Sequence, residues 1–202
     1  MTTLAWIVFA FLSGSLPFSM WLAQVFLGKD VRQSGDGNPG ATNVFRAGNK
    51  LIGLLALLLD ISKAAAPVGL AYFTFGIRGV EMFFIAIAPL LGHRFSPFLR
   101  FRGGKALATA LGVWIGLTLW KASSAAILFV VIGLALFGIP GWAVMTALAA
   151  IFFTLVIWMP DPLLFSVLAA QVLFLGWTHR KDLRARPHLS SWLIHQFQRT
   201  RH

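Results

Sequence analysis

The sequence predicts an all-α fold: a polytopic integral membrane protein with about seven transmembrane helices. The 202 residues are 58% hydrophobic and only 11% charged, whereas about a quarter of the residues in a soluble domain carry charge. The apolar residues also come in long runs, and no acid or base precedes Lys29. A large soluble helical core would need polar outer faces on its helices, and this sequence lacks them.

Charged residues, glycine and proline divide the chain into seven apolar stretches. A bilayer core needs about 20 mostly apolar residues per helix. The third stretch is short, and the fourth and fifth share one apolar run that is broken near Lys121, Ser123 and Ser124. The first stretch lacks the basic start of a signal peptide and is too long for one, so we interpret it as a retained span. The predicted spans are 3–27, 51–76, 79–93, 106–121, 122–138, 141–159 and 161–178.

The basic residues predict the orientation in the membrane. Clusters follow the first, third and seventh predicted spans, whereas Arg78 and Lys121 fall on the other side and Lys63 lies within a span. Because Lys and Arg accumulate on the cytoplasmic side, we expect the N-terminus outside and the C-terminus in the cytoplasm. The net charge of +11 then reflects topology and attraction to anionic membrane lipid, worth roughly 1 kcal/mol per basic residue near the surface. It does not require nucleic acid as a partner.

The sequence contains no recognisable domain linker. We expect one membrane domain, 1–178, with cytoplasmic loops at 28–50 and 93–105, followed by a basic cytoplasmic tail, 179–202. Apolar residues interleaved with polar ones predict a short amphipathic helix in the tail that lies on the membrane. These apolar residues are Leu189, Trp192, Leu193, Ile194 and Phe197.

The first polar segment, residues 35–46, reads GDGNPGATNVFR. Its glycines allow positive φ, and successive exposed N–H groups in such turns form concavities that bind anions. Asn38, Thr42 and Asn43 add uncharged donors, and Arg46 offers a planar fork suited to phosphate or carboxylate. Glycine-rich loops are also ordinary turns, in which the side chain of Asp36 would act as a cap.

The second polar segment, residues 92–112, reads GHRFSPFLRFRGGKALATALG. Gly103, Gly104 and Lys105 precede a predicted helix, whose N-terminus favours an anion beside the lysine charge. The segment lacks the spacing of a nucleotide P-loop. Its first half alternates bases with aromatic residues, which is typical of an anchor in the headgroup region. The anchor residues are Phe95, Phe98 and Phe101.

Two further features leave alternatives open. His179 directly follows the last predicted span, where it is either a base or phosphate ligand or simply part of the basic boundary of that span. Asp60 and Lys63 lie on one face of the second span, as a structural ion pair or as residues that orient a loop. The sequence has no cysteine, so thiol nucleophiles and disulfides are excluded. The acids and histidines lack metal-ligand spacing, so we expect no metal.

Taken together, the three polar segments resemble the bacterial acyl-phosphate:glycerol-3-phosphate acyltransferases, integral enzymes of phospholipid synthesis. The family pattern comprises a GSGNxGATNxxR-like loop, a GHxFxxFxxFxGGKG(V)AT-like segment and a terminal HRxNIxR-like stretch. Here these read GDGNPGATNVFR, GHRFSPFLRFRGGKALAT and HRKDLRA, in the same order, and the resemblance covers essentially the whole chain. The first two motifs are long enough to be specific, and the third is weak.

The resemblance implies seven spans, a site at the cytoplasmic face of the cell membrane, and transfer of an acyl group from acyl phosphate to the 1-hydroxyl of glycerol 3-phosphate. No cofactor is expected. The proton of the attacking hydroxyl would go to a substrate phosphate or to His179. The implied catalytic residues are Asp36, Arg46, Lys105 and His179. The implied substrate-binding residues are Gly37, Asn38, Gly40, Thr42, Asn43, His93, Ser96, Gly103, Gly104, Thr109, Arg180 and Asp182.

Several positions depart from the family pattern. Asp36 stands where the pattern has serine, and its carboxylate repels phosphate unless it is protonated or paired with Arg46 or Lys105. Ala106 replaces a glycine and Asp182 an asparagine, the arginine aligned with Ala185 is shifted, and the closing glutamate is missing. The departures leave open a different acyl acceptor or donor, Asp36 as a base, a non-catalytic lipid-binding relative, and an anion transporter. Oligomeric state and acyl chain length are not predicted.

Overall fold

The structure is a computed structural model that describes residues 2–190, and within that range it contains helices and turns but no strand. The chain divides between Leu119 and Trp120 into two compact units. Most of the predicted amphipathic tail helix falls on residues 191–202, outside the described range. The helices are α1 (Thr3–Ser15), α2 (Phe18–Leu27), α3 (Ala41–Arg46), α4 (Lys50–Gly69), α5 (Gly79–Arg94), α6 (Leu107–Thr118), α7 (Lys121–Phe137), α8 (Pro140–Trp158), α9 (Pro162–Thr178) and α10 (Arg180–Leu183).

Within residues 2–190, four helical segments are long and apolar enough to cross a membrane: Thr3–Leu27, Lys50–Thr74, Gly79–Leu99 and Pro140–Trp158. Three further apolar helices, Leu107–Thr118, Lys121–Phe137 and Pro162–Thr178, are shorter. The all-helical prediction is therefore confirmed, and so are several membrane-length helices. Seven crossings, the orientation, and a domain boundary at 178/179 stay predictions.

The first predicted span is two helices rather than one. α1 ends at Ser15 and α2 begins at Phe18, because Pro17 has no N–H to continue the helical ladder and its ring restricts the preceding residue. The break exposes the carbonyl of Leu16, which accepts a hydrogen bond from Nζ of Lys63 at 2.8 Å. A charged side chain from α4 thus satisfies a backbone group that the proline leaves without a helical partner.

Asp60 and Lys63 form a buried ion pair on α4. Their side chains are almost inaccessible, and Nζ of Lys63 lies 2.7 Å from Oδ1 of Asp60. Ser19 of α2 donates to Oδ2 of Asp60 at 2.6 Å, and Ser13 of α1 donates to the carbonyl of Lys63 at 2.6 Å. The pair therefore joins α4 to both halves of the broken first segment, which is the structural alternative left open by the sequence.

Small residues let the helices of the first unit approach closely. α4 packs on α6 and α1 packs on α5. A Cβ added at Gly112 of α6 would lie 2.1 Å from the carbonyl oxygen of Ile61, and one added at Gly92 of α5 would lie 2.1 Å from that of Phe11. Contact between backbones at small residues is the usual way in which membrane helices associate, so these glycines fix the framework below the polar segments.

The first polar segment is anchored by apolar residues at both ends. Val31 and Val44 are fully buried in one cluster with Ala41, and this cluster also contains Ala23 of α2 and Ala56 of α4. α3 packs on α4. This burial holds α3 in place, so the polar residues between Ser34 and Arg46 project from a fixed base rather than from a free loop.

The second unit contains α7 to α10. α7 packs on α8, α8 on α9, and α10 on both α8 and α9. A Cβ added at Gly141 would lie 2.7 Å from Cβ of Asp182, and the indole Nε1 of Trp142 donates to the carbonyl of Ala185 at 3.0 Å. The third polar segment is thereby held against the start of α8.

Breaking the buried pair on one side should destabilise the protein strongly. Lys63→Met leaves the Asp60 carboxylate buried without its cation, and we expect a loss of about 3–5 kcal/mol of unfolding free energy. Lys63→Met combined with Asp60→Asn should lose less than the single variant. The measurement is thermal unfolding in detergent.

Ser62→Ala is the matched control on the same helix, because Ser62 is exposed and a surface change of this kind usually stays within about 0.5 kcal/mol. Equal losses in the Lys63 single variant and the double variant would contradict a coupled pair.

Candidate active site

The first polar segment folds as a turn around the Asp36 carboxylate. Gly35 and Gly37 adopt left-handed φ values of 59° and 73°, which glycine tolerates without strain. Oδ1 of Asp36 accepts a hydrogen bond from the Asn38 N–H at 3.2 Å and another from Nδ2 of Asn43 at 2.9 Å. Asp36 therefore does cap its own turn, as an aspartate in this position often does.

Asn43 is the buried centre of this turn, with 1% of its surface exposed. Its Nδ2 donates to Asp36 and to the carbonyl of Asn38 at 2.9 Å, and its Oδ1 accepts from Nη1 of Arg46 at 3.2 Å. Both amide protons are thus used within the segment. Asn43 supports the turn from inside, and a direct contact with substrate stays a prediction.

The Gly103–Gly104 turn lies directly against His93. The Gly103 N–H donates to the carbonyl of Arg94 at 2.9 Å, and Nη1 of Arg94 donates back to the carbonyl of Gly103 at 2.9 Å. A Cβ added at Gly103 would lie 1.8 Å from the His93 carbonyl oxygen, and one at Gly104 would lie 2.4 Å from Nε2 of His93. The two glycines are required here because only backbone fits in this space.

Three residues predicted to bind substrate lie beneath this turn with protein partners. Nδ1 of His93 is 3.1 Å from Oγ1 of Thr109, and Ser96 donates to the carbonyl of Ser15 at 2.6 Å. All three are buried. In this structure they support the second segment from below, and their contact with substrate is untested.

The two segments meet at Lys105. Its Nζ lies 2.9 Å from Oδ2 of Asp36, and its backbone N–H donates to Oδ1 of Asn38 at 3.0 Å. With the contacts of Asn43, this creates a continuous polar chain from Lys105 through Asp36 and Asn43 to Arg46. Lys105 and Asp36 keep 24% and 44% of their side-chain surface exposed, so ligands can reach both groups.

The charge state of Asp36 follows from these contacts. Partial burial acts to raise the pKa of the carboxyl group, but hydrogen bonds from Lys105, Asn43 and the Asn38 N–H, together with the Lys105 charge, hold its pKa below the ordinary value. Asp36 is therefore ionised at neutral pH. Its pairing with Lys105 relieves the repulsion that a bare carboxylate would exert on a phosphate.

The remaining residues of the first segment differ in exposure. Gly37, Thr42 and Arg46 are exposed, whereas Gly40 is buried, and a Cβ added at Gly40 would lie 2.9 Å from Nδ2 of Asn38. Gly40 therefore leaves room for the Asn38 side chain to reach Lys105.

The third polar segment lies in the second unit. His179 is 2% exposed, and its Nδ1 lies 3.0 Å from the carbonyl oxygen of Leu175. A carbonyl only accepts, so Nδ1 is assigned as the protonated nitrogen, and the neutral ring then carries its basic lone pair on Nε2. Arg180 is exposed and donates to the carbonyl of Trp177 at 3.0 Å. The participation of His179, Arg180 and Asp182 in the site stays a prediction.

Comparison with known proteins decides the family. The family model described as glycerol-3-phosphate acyltransferase matches residues 4–186 of this chain. The chain belongs to the glycerol-3-phosphate acyltransferase family. It is therefore an acyltransferase, as the resemblance of its motifs predicted.

Individual relatives agree with the family model. A glycerol-3-phosphate acyltransferase from Laribacter hongkongensis is 44% identical over 137 residues, which are 66% of this chain and 68% of the relative. The crystal structure of PlsY, described as an integral membrane glycerol 3-phosphate acyltransferase in its glycerol 3-phosphate form, matches with a TM-score of 0.82 and 32% identity, covering 96% of this chain and 98% of PlsY. Its lysophosphatidic acid form matches with a TM-score of 0.81 and 31% identity, covering 95% and 96%.

The structure explains why the acyltransferase pattern carries glycine after the motif lysine. Ala106 stands at this position with φ 64°, in the left-handed region, and is 2% exposed. A residue with a Cβ pays roughly 1–2 kcal/mol in this conformation. Ala106 therefore adopts this left-handed conformation at the cost of local strain.

Sequence reasoning missed the contact of Arg94 with the Gly103–Gly104 turn. Its guanidinium donates to the carbonyl of Gly103 and closes this turn, a role that the base in the motif does not by itself indicate. The available signal was its position next to His93, nine residues before Gly103, inside the second motif.

Ala106→Gly should be neutral or stabilise this acyltransferase by up to about 1 kcal/mol, because relief of left-handed strain outweighs the larger unfolded-state entropy of glycine. Ala108→Gly, two residues later inside α6, is the matched control and should cost about 1 kcal/mol. Thermal unfolding in detergent measures both. Equal destabilisation by the two substitutions would show that position 106 does not favour glycine.

Proposed function

We propose that this chain transfers a fatty acyl group from acyl phosphate to the 1-hydroxyl of glycerol 3-phosphate, forming lysophosphatidic acid and inorganic phosphate in phospholipid synthesis. The family membership supports the reaction type, and the related PlsY structures are described as glycerol 3-phosphate and lysophosphatidic acid forms. The observation that carries the proposal is the meeting of the first two motifs at Lys105. The names of these relatives do not mention the acyl donor, so acyl phosphate as the donor is part of this proposal.

The polar chain from Lys105 to Arg46 supplies two cations for two phosphorylated substrates. Lys105 offers a compact ammonium on a flexible stem, and Arg46 offers a planar fork that binds phosphate through two N–H groups. We assign Gly37, Asn38, Gly40 and Thr42 to one wall of the site, and the Gly103–Gly104 turn to the facing wall. The fixed turns hold these groups in place before substrate arrives, which lowers the entropic cost of alignment.

The reaction needs no protein nucleophile because acyl phosphate is already activated. The oxygen of the 1-hydroxyl attacks the acyl carbon, a new ester bond forms, and the bond from the acyl carbon to the phosphate oxygen breaks. Inorganic phosphate leaves with the electron pair of that bond, and Lys105 and Arg46 stabilise the charge on it. Asp36 is a poor proton acceptor, since its pKa is held low. The hydroxyl proton would then go to a substrate phosphate, and His179 as the alternative acceptor stays a prediction.

The proposal includes a location for the site. Seven crossings with the N-terminus outside would bring the segments around 28–50, 93–105 and 179 to the cytoplasmic leaflet, where water-soluble glycerol 3-phosphate is available. The acyl chain would lie among the apolar helices. The basic segments would lie against the anionic headgroups of that leaflet, which attract Lys and Arg side chains.

The decisive experiment follows inorganic phosphate release from acyl phosphate by the purified chain in detergent, with and without glycerol 3-phosphate. Acceptor-dependent release together with formation of lysophosphatidic acid supports the proposal. Release that needs another acceptor would reassign the acceptor. Flux of phosphate into liposomes without turnover would instead indicate a transporter, and binding without either would indicate a non-catalytic relative.

Removing either cation should abolish most turnover without unfolding the chain. Lys105→Ala keeps the backbone N–H that Asn38 accepts from, and Arg46 is exposed, so both variants should fold. We expect losses of about 100-fold or more in kcat/KM, the scale seen when one preorganised donor to a developing charge is removed. Steady-state kinetics and thermal unfolding measure the two properties.

Lys50→Ala is the matched control, since Lys50 is an exposed base at the start of α4. Its rate should stay within about twofold of the parent, as expected for a surface change outside the site. A normal rate in a folded Lys105→Ala or Arg46→Ala variant would remove that residue from the proposed site.

A further inference from the structure

The Lys105 ammonium already has an anion beside it in this structure, and that anion belongs to the protein. Oδ2 of Asp36 lies 2.9 Å from Nζ of Lys105, at a position where the family pattern has an uncharged serine. We propose that Asp36 is a built-in counter-ion that competes with substrate phosphate for Lys105 and thereby sets the phosphate affinity of the site. This inference rests on the proposed function, in which Lys105 binds a substrate phosphate.

The carboxylate is held so that one oxygen faces Lys105. Oδ1 of Asp36 accepts from the Asn38 N–H and from Nδ2 of Asn43, and Asn43 is itself buried and fixed. Rotating the carboxylate away would break both hydrogen bonds. The Asp36 side chain is therefore the stationary partner of the ion pair.

Lys105 is the partner that moves. Its backbone is fixed because its N–H donates to Asn38, but its ammonium sits at the end of a flexible four-carbon stem. The pair is also partly exposed, and ion pairs of this kind contribute only about 0–1 kcal/mol. Exchange of the ammonium from the carboxylate to an incoming phosphate thus requires side-chain rotation alone, with no movement of either turn.

The charges of these side chains determine how the exchange of Lys105 from Asp36 to phosphate affects the affinity for phosphate. Lys105 and Arg46 contribute two positive charges, and Asp36 removes one of them, whereas serine would leave both. A phosphate monoester carries about −1.5 to −2 charges at neutral pH, so it outcompetes a single carboxylate but binds less tightly than it would without one. The same competition favours departure of inorganic phosphate after the reaction, because Asp36 recaptures Lys105 as the phosphate leaves.

Asp30 provides a matched control in the same loop. It is a carboxylate that pairs with Arg32 at 2.6 Å, and the hydrogen bond from Arg32 holds its pKa below the ordinary value, as the partners of Asp36 do for that residue. Asp30→Asn removes the same formal charge from the protein as Asp36→Asn, but it does so at a carboxylate that does not contact Lys105. The difference between the two variants isolates the contact with Lys105 from the change in net charge.

The test is the dissociation constant of inorganic phosphate, and separately of glycerol 3-phosphate, for the purified full chain in detergent at neutral pH and one ionic strength. Asp36→Asn and Asp36→Ser should each lower both Kd values by about fivefold, the upper end of the effect of a partly exposed ion pair. Asp30→Asn should leave both within about twofold. Asparagine keeps the acceptor oxygen of the turn, and serine is the residue of the family pattern, so at least one variant retains the fold.

Unchanged or weaker phosphate binding in folded Asp36→Asn and Asp36→Ser would overturn the inference, and so would an equal gain in Asp30→Asn. The turnover assay separates this result from the fate of the proposed function. Turnover of acyl phosphate and glycerol 3-phosphate without any shift in Kd would refute the counter-ion and leave the enzyme assignment intact. A fivefold tightening without turnover would support the counter-ion and refute the proposed reaction.

Discussion

The site depends on the double attachment of Lys105. One hydrogen bond fixes its backbone to the Asn38 side chain, and one ion pair directs its ammonium to Asp36. These contacts join two segments that are 67 residues apart in the sequence. Without them, the glycine-rich turn of residues 34–40 and the Gly103–Gly104 turn would lack their link through Lys105.

The framework below the site uses buried polar contacts for a different purpose. Lys63 satisfies the carbonyl that Pro17 leaves without a helical partner and is neutralised by Asp60, which also accepts from Ser19. In a low-dielectric interior such groups must all be paired, because a single missing partner leaves an expensive charge or dipole. The framework therefore tolerates little change at these positions, whereas the pair of Lys105 and Asp36 is partly exposed to solvent.

The membrane helices and the family could be predicted because local sequence patterns indicate them. Long apolar runs indicate membrane helices and the three motifs indicate the family, and a cap of its own turn is one of several roles that the sequence leaves open for Asp36. Other features depend on tertiary contacts that no local pattern encodes. The close approach of Gly103 and Gly104 to His93, for example, depends on how this segment folds back against the end of α5. Arg94 closes that turn and Asn43 supports the first turn from inside. Both roles also depend on tertiary contacts.

Two departures from the family pattern flank the same lysine. Asp36 holds the Lys105 ammonium, and Ala106 follows Lys105 with a left-handed backbone. The left-handed conformation at 106 sets the direction in which the chain enters α6 and so helps to fix where the lysine side chain begins. An alanine there stores strain but removes backbone freedom, while a carboxylate at 36 lowers the local charge. Both changes affect the Lys105 side chain, since one supplies its counter-ion and the other fixes the backbone next to it. Of the departures from the family pattern, these two thus bear on one ammonium, Asp36 through its charge and Ala106 through the backbone next to the lysine.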